Sequence, residues 1–547
     1  MSNKQQWIVK KALFDKTFLN RLQQQTNLSL PVLQYLTNRG YLTKEAIGEI
    51  KNPENKGNFL DYLDSEKLLT SVIANKSNNI LVYSDFDCDG ICAAAIATYG
   101  LRKLGFTVLN YFNSRFDQGY GFQQAGIDYA LAGNCPLIIC LDQGISDLTA
   151  AQSAGQQGLQ LVIIDHHQAL TELPQAEAVV DPCRPDEKEY EVLFSGAALS
   201  FQFVQALAER LNDDSDFLEL LPLVALSTLS DVMELKGTNR YYVKTALAGS
   251  AEPVLPAFQV FAQQKSNQLN ADDFRFILAP QINAVGRLSD DVKPALNFFL
   301  SPDYQTAKDY YELIKALNQQ RQALTKVQLA KALAQVDDQD KVNVVVGDFH
   351  EGLVGLLASR ITAATNKLTL ILSEKADGYV GSLRSPRGGK LPELLQKLSA
   401  SLEKFGGHDL AAGLFVKQEK LTEFITLFRQ LAPELSEPEA VYLDYVYQTR
   451  YLRDEDIESW EELAPFGPAF EYPNLGLLVE NYEYFLLKDT HLKLVTPAIT
   501  IMAFNCAKFL PVVQSGLPLK VLVKFERDRN GQYQAVLVQE DIRLLNE

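Results

Sequence analysis

The sequence predicts an α/β protein built from several bodies, and three patterns carry that prediction. Apolar, β-prone runs alternate with helix-prone segments from Asn79 to about Met233, and a second, shorter alternation runs from Val342 to Gly413. Between them, Gln305 to Val336 contains neither Gly nor Pro and is rich in Gln, Ala, Leu and Lys, as suits one long connecting helix. After the acidic, Pro-containing stretch Pro433 to Glu439 the chain turns to short β-rich segments that fit a small barrel.

In chain order the expected divisions are 1–75, 76–235, 236–337, 338–432 and 433–547. The first reads as short helices, with Pro31 at a helix start, Gly40 at its end and Thr43 as an N-cap before Lys44 to Ile50. The second should hold a parallel sheet covered on both faces. The third is mainly helical, with one polar interruption, APQINAVGRL, from Ala279 to Leu288, ahead of the connecting helix. The fourth should be a smaller α/β domain that includes YVGSLRS (Tyr379 to Ser385) and FGGHDLAAG (Phe405 to Gly413). In the fifth, Ala498 to Phe504 and Lys520 to Phe525 read as strands, and Asn530-Gly531 as a two-residue hairpin turn.

Composition bounds the function. A chain of 547 residues is too long for one core, and 47% apolar with 22% charged residues describes an ordinary globular protein. No run of about 18 apolar residues occurs, and MSNKQQWIVKKALFDK has no signal-peptide core, so a cytoplasmic protein with no membrane partner is expected. The six cysteines show no CxxC spacing and read as reduced core residues. A net charge of −17 excludes loose binding of nucleic acid over the whole surface, but leaves room for a local basic channel.

The chemistry concentrates at the predicted strand ends. The run Asn79 to Tyr83 stops at Asp85, Asp87 and Asp89, and an Ala-rich helix-prone segment, Ile91 to Thr98, follows Gly90. Three carboxylates so close repel one another, and burying them is costly without a strong positive charge between them. Pro136 to Leu141 ends in Asp142, Leu161 to Ile164 ends in Asp165, His166 and His167, and the apolar run Leu221 to Leu229 is followed by Asp231. In doubly wound sheets the ligand crevice lies outside the carboxyl ends of the strands, so these groups should meet. Hard oxygen donors with one or two imidazoles favour manganese or magnesium over structural zinc.

Taken in order, SDFDCDGI, NSRFDQGYGF, LDQGIS, IDHHQ with VVDPCRPD, FSGAAL, LSTLSDVMEL, APQINAVGRL, DFHEGLVGLLASRI, GSLRS and FGGHDLAAG resemble the DHH phosphoesterase superfamily, most closely the bacterial RecJ nucleases. The resemblance covers nearly the whole chain. It implies a parallel-sheet DHH catalytic domain and a smaller DHH-associated domain joined by the long helix, with a C-terminal barrel like an OB-fold. The activity implied is 5′ to 3′ exonuclease action on single-stranded DNA, releasing mononucleotides in repair and recombination. It also implies that Asp87, Asp89, Asp142, His166 and Asp231 bind two divalent ions, manganese by preference or magnesium. Asp85 and Asp165 would be outer acids or partial ligands, and His167 would assist the metal or the phosphate.

By the same resemblance His408, after Gly406 and Gly407, contacts the phosphate being cleaved from the opposite domain. Asn283 and Arg287 offer planar donors to phosphate oxygens. Arg115, Ser382 and Arg384 resemble a pocket for the 5′-terminal phosphate, which would set polarity. Tyr451, Phe466 and Phe470 are candidate stacking aromatics in the barrel, equally readable as core. His350 with Glu351 either serves the site or caps the helix near Leu353, and His491 is structural or a DNA contact. The sequence departs from the family's pattern at Gln118, Gln143 and Gln281, and in the loosely matching PFGPAFEYP. Expected partners are single-stranded DNA, a single-strand binding protein and a helicase, with the chain itself a monomer. Two alternatives stand beside this: a nanoRNase or cyclic-dinucleotide phosphodiesterase of the same superfamily, and an inactive RecJ-like DNA-binding scaffold.

Overall fold

The computed structural model describes residues 6–116, 119–169, 172–265, 269–386, 388–433, 440–528 and 530–545. Gln118 lies outside the described residues. Five parallel strands make the first sheet, in the spatial order Thr107–Phe112, Asn79–Ser84, Leu137–Leu141, Gln160–Ile164, Ala178–Val180. The first of these strands in the sequence is flanked by the next two, so the connections leave it in opposite directions and a crevice opens at its carboxyl end. Leu137–Leu141 is buried at every position, as the continuous apolar run requires of a strand covered on both sides.

Asp87 starts the helix that follows the first strand. Its carboxylate accepts the backbone N–H groups of Asp89 and Gly90, and the helix runs from Cys88 to Lys103, longer than the Ala-rich stretch alone suggested. Small residues let it lie close against the Gly196–Arg210 helix: a Cβ at Gly100 would come within 2.2 Å of Val204. Leu221–Ser230 is a helix, with Asp231 just beyond its end.

Ala279–Leu288, expected as an interruption, is itself a helix, entered through a π-helical turn at Phe274–Leu278. Its polar residues do not break it because Asn283 and Arg287 stand one turn apart on the same face. The connecting helix is Tyr304–Leu333, capped by Asp303, whose carboxylate accepts the Thr306 N–H at 2.9 Å. It leads to the second sheet, ordered Lys404–His408, Ala411–Lys417, Gly378–Arg384, Thr369–Lys375, Asn343–Gly347.

The C-terminal region forms a seven-stranded mixed sheet running from Tyr445–Gln448 to the exposed edge Glu483–Leu487. The turn expected at Asn530-Gly531 is wider than two residues. The flanking strands end at Arg527 and resume at Tyr533, and the Asp528 carboxylate accepts the N–H groups of Asn530 and Gln532 within the loop, whose ends are joined by the Asp528 N–H on the Gln532 carbonyl at 2.8 Å. Phe470 is 1% exposed and stacks on Phe466 inside the core, so it presents no face to a base, whereas Tyr451 is 67% exposed.

The N-terminal helices share that same core: Leu19, Val32, Tyr35 and Ile47 pack with Trp460, Phe470 and Val521, and Gln6–Val9 pairs with Ala440–Leu443. Arg240, wholly buried, ties these parts to the helical region by donating to the carbonyls of Ile50 and Pro465, both at 2.7 Å. Among the described residues the cysteines are free thiols, and no helix is long and apolar enough to cross a membrane.

Candidate metal centre and the arginines beside it

The acids forecast at the strand ends do converge. Asp85, Asp89, Asp142 and Asp165 are buried, and Asp87 and His166 partly so. Three groups of donors gather within 4.8 Å of one another: Asp85, Asp87 and Asp142; Asp89, His166 and Asp231; and Asp142, His166 and His167. Asp142 and His166 belong to two groups each, and His166 Nε2 lies 3.0 Å from Asp142, 3.5 Å from Asp89 and 3.9 Å from Asp231.

Asp89, Asp142 and Asp165 each have their own anchor. Asp89 accepts the N–H groups of Gly196 at 2.8 Å and Ala197 at 2.9 Å, the start of a helix, and the Ser227 hydroxyl at 2.6 Å. Asp142 adopts a left-handed φ of 58°, and its N–H is tied to the Ile164 carbonyl at 2.9 Å. Gly196 is obligatory beneath it, since a Cβ there would come within 2.7 Å of the Asp142 Cβ. Asp165 accepts the His166 N–H at 2.8 Å, and His167 Nδ1 is 2.8 Å from the same oxygen.

The electrostatics show what the site lacks on its own. Burial and then the neighbouring acids push the Asp85 carboxyl up to about 8, Asp231 likewise to about 8, and Asp142 well above the usual range. Asp165 goes the other way: burial would raise it, but its hydrogen bond and attraction to His167 outweigh that. Burial would lower His167, yet Asp165 holds it at about 9. Asp85 Oδ1 is buried with no partner among the described residues. An orphaned oxygen, crowded carboxylates and two imidazoles make a donor set that fits hard divalent cations.

Cations of the protein's own stand alongside. The Arg115 guanidinium lies 4.4 Å from the Phe86 ring centroid, between the positions of Asp85 and Asp87 in the chain. Asn283 accepts the Cys88 N–H at 3.0 Å. A Cβ at Gly286 would meet the Phe86 carbonyl at 2.6 Å, so the Ala279–Leu288 helix rests directly on the acidic loop. Arg287 is pulled down to about 10 by burial and by Arg115, Arg321 and Arg384 around it, against the pull of Asp87. Arg384 donates to the hydroxyls of Ser382 at 2.9 Å and Ser359 at 3.1 Å. A group of guanidinium ions that repel one another beside a crowd of carboxylates is built for an anion carried together with metal ions.

Two family models match: the DHH family, N-terminal domain, over residues 79–228, and the DHHA1 domain over residues 338–434. The single-stranded-DNA-specific exonuclease RecJ of Dickeya dadantii is 30% identical over 467 residues, covering 78% of this chain and 81% of that protein. The chain belongs to the RecJ family. RecJ of Salmonella typhimurium is 29% identical over 468 residues, covering 79% of this chain and 81% of its own. The crystal structure of RecJ in complex with Mn2+ from Thermus thermophilus superposes with a TM-score of 0.83 at 25% identity, over 99% of this chain and 80% of that one.

Within the RecJ frame, the expected residues fall into two sets. Asp85, Asp87, Asp89, Asp142, His166, His167 and Asp231 assemble, with Asn283 and Arg287 next to them and Arg115, Ser382 and Arg384 beyond. Gly406, Gly407 and His408 lie on an exposed strand of the second sheet and are not among the gathered donors. Tyr120 was not singled out in the sequence, although it sits in GYGF. Its hydroxyl lies 3.3 Å from His167 Nδ1 and 3.4 Å from the Asp142 carbonyl, with the residue 52% exposed. Ser227 and Arg321 were also unmarked: a serine facing inward and an arginine in a long polar helix carry no signal in a single sequence. Gln143 is buried with both side-chain polar atoms unpartnered among the described residues.

Proposed function

We propose that the protein is a metal-dependent 5′ to 3′ exonuclease that hydrolyses single-stranded DNA to mononucleotides, in DNA repair and recombination. The observation that carries this reading is the convergence of seven acids and imidazoles at the crevice of the first sheet with guanidinium groups from three other parts of the chain beside them. Two manganese or magnesium ions, held by Asp85, Asp87, Asp89, Asp142, His166 and Asp231, supply Lewis acidity at the scissile phosphate and a water acidic enough to attack it.

The chain's own residues do the rest. Asp165 orients the His167 ring by its hydrogen bond and holds the His166 backbone, while Asp142 meets the His166 ring at Nε2. Arg287 and Asn283 take oxygens of the phosphate being cleaved, and His408 meets that phosphate from the second sheet. Arg115, Ser382 and Arg384 hold the 5′-terminal phosphate, which counts the first bond from that end and so fixes polarity. The serines limit Arg384 to one fork geometry, matching a tetrahedral anion. The C-terminal sheet, an OB-like unit in this reading, guides the strand, with a single-strand binding protein and a helicase as partners and the enzyme acting as a cytoplasmic monomer.

The test is digestion of 3′-end-labelled single strands in manganese, comparing 5′-phosphate, 5′-hydroxyl and 5′-blocked ends, with duplex and dinucleotide controls. The reading requires mononucleotides from long single strands, fastest from the 5′-phosphate. Cleavage confined to dinucleotides, or indifferent to the 5′ end, would sink it.

A further inference from the structure

His350 was open to two readings from sequence, and the structure removes one. It stands at the start of the short Glu351–Leu353 turn, but its side chain caps nothing. Its backbone N–H instead donates to Gln328 of the connecting helix at 3.1 Å, and its ring meets the Phe116 ring edge-on, with centroids 5.5 Å apart and planes at 85°. Nδ1 is buried without a partner among the described residues. Its contact with Phe116 is therefore made by the ring as an aromatic surface, with Nδ1 taking no hydrogen bond among the described residues.

What it touches gives the contact its meaning. Phe116 directly follows Arg115, and Arg115 lies over Phe86, between two of the crevice acids in sequence. The far side of this loop is already anchored to the first sheet: Asn113 and Tyr83 hydrogen-bond to each other, and both reach the Gly121 carbonyl. On the near side Ser114 hydrogen-bonds to Asp290 and Arg115 lies over Phe86, while Phe116 reaches across to the second sheet's flank at His350. There the neighbours of His350 are equally committed. Glu351 is ion-paired to Lys375, and the Gly352 carbonyl accepts Arg287 Nη1 at 3.1 Å. Gly352 packs so tightly on Arg287 that a Cβ would fall 2.1 Å from its carbonyl oxygen. His350 to Gly352 thus forms one ledge that touches Arg287 directly and Phe116, the neighbour of Arg115 in the chain.

We propose that His350 is a positioning residue. Its ring braces Phe116 so that Arg115, from the first body, meets Arg384, from the second, at the spacing the 5′-terminal phosphate requires. This rests on the phosphate pocket assigned above. It makes end recognition depend on a ring contact that touches neither substrate nor metal.

The measurement is kcat/KM for 5′-phosphorylated against 5′-hydroxyl single strands, in manganese, on full-length protein. His350→Ala should shrink the ratio about two- to tenfold, the range of an aromatic pair, through KM and not kcat. His350→Phe should restore it, because the edge contact survives without nitrogen. Phe116→Leu should reproduce the alanine effect, and combining it with His350→Ala should add little, since both remove one contact. Wild-type discrimination that survives both His350→Ala and Phe116→Leu overturns the brace alone, as does a His350→Phe variant no better than alanine. Wild-type protein blind to its 5′ end would overturn the pocket and the brace together. If His350→Ala fails to fold, His350→Phe and Phe116→Leu still decide the matter.

Discussion

The crevice of the first sheet and the glycine-histidine strand of the second sheet are built on opposite plans. In the crevice three of the acids are held by groups that also hold the fold: Asp87 caps one helix, Asp89 receives the first N–H groups of another, and Asp142 sits where Gly196 leaves it room. Lys404–His408 is exposed along its whole length, and a side chain at Gly406 would meet nothing within 4 Å. Only Gly407 is constrained, with φ at 144° and the Ala411 carbonyl 2.4 Å from where a Cβ would be. The lesson is about coupling. In the function proposed above, catalysis and stability share the same atoms on the first sheet, while on the second they can be separated.

The comparison can be broken most sharply at Asp142. Asp142→Ala should abolish manganese-dependent nucleotide release, by on the order of 10³-fold or more. Circular dichroism should be unchanged, because alanine's cost at φ 58°, about 1 kcal/mol, is opposed by relief of carboxylate crowding. Normal turnover by this variant would end the assignment. The paired test sets Asp89→Asn against His408→Ala. An asparagine at 89 cannot accept from the Gly196 and Ala197 N–H groups and the Ser227 hydroxyl together. It should lose activity and about 1–3 kcal/mol of stability in denaturant melts. His408→Ala should lower turnover about a hundredfold with no shift in the melt. Equal destabilisation of the two would erase the distinction.

The same contrast explains what could be read without coordinates. Acids at the ends of apolar strands are legible because nothing else justifies charge there, and Asp85, Asp87, Asp142 and Asp165 were placed by that argument alone. Ser227 was not, since only the packing of its helix on the Cys88–Lys103 helix turns its hydroxyl onto Asp89. Ala279–Leu288 read as an interruption because its polar residues were counted along the chain, when on a helix Asn283 and Arg287 share one face and Gln281 is buried on another. The wide loop after Arg527 depends on one aspartate side chain bonding to backbone, which Asn-Gly statistics overrode. The exposed Lys404–His408 strand has no burial to mark it, and only the family resemblance singles out His408.

The smallest expected effect probes how the crevice loop is held rather than what it binds. Asp147 accepts the Phe122 N–H at 2.6 Å and so anchors the end of the loop that carries Arg115 and Tyr120. Burial, countered by that hydrogen bond and helped by Asp165, raises its carboxyl to about 6 from the ordinary 3.8. A carboxyl raised on folding favours the native state fully below about pH 3.8, and that contribution is lost as pH climbs through 6. Above it, the wild type carries a partly buried charge. Asp147→Asn keeps an acceptor for Phe122 and cannot ionise, so its melting temperature should match or trail the wild type near pH 4 and gain on it steadily up to pH 7. Because every other titrating group is common to both proteins, the difference isolates this one. A gap that stays flat across that range, or that moves in the wild type's favour, would mean that Asp147 is not the raised carboxyl and that the loop's anchor is its charge.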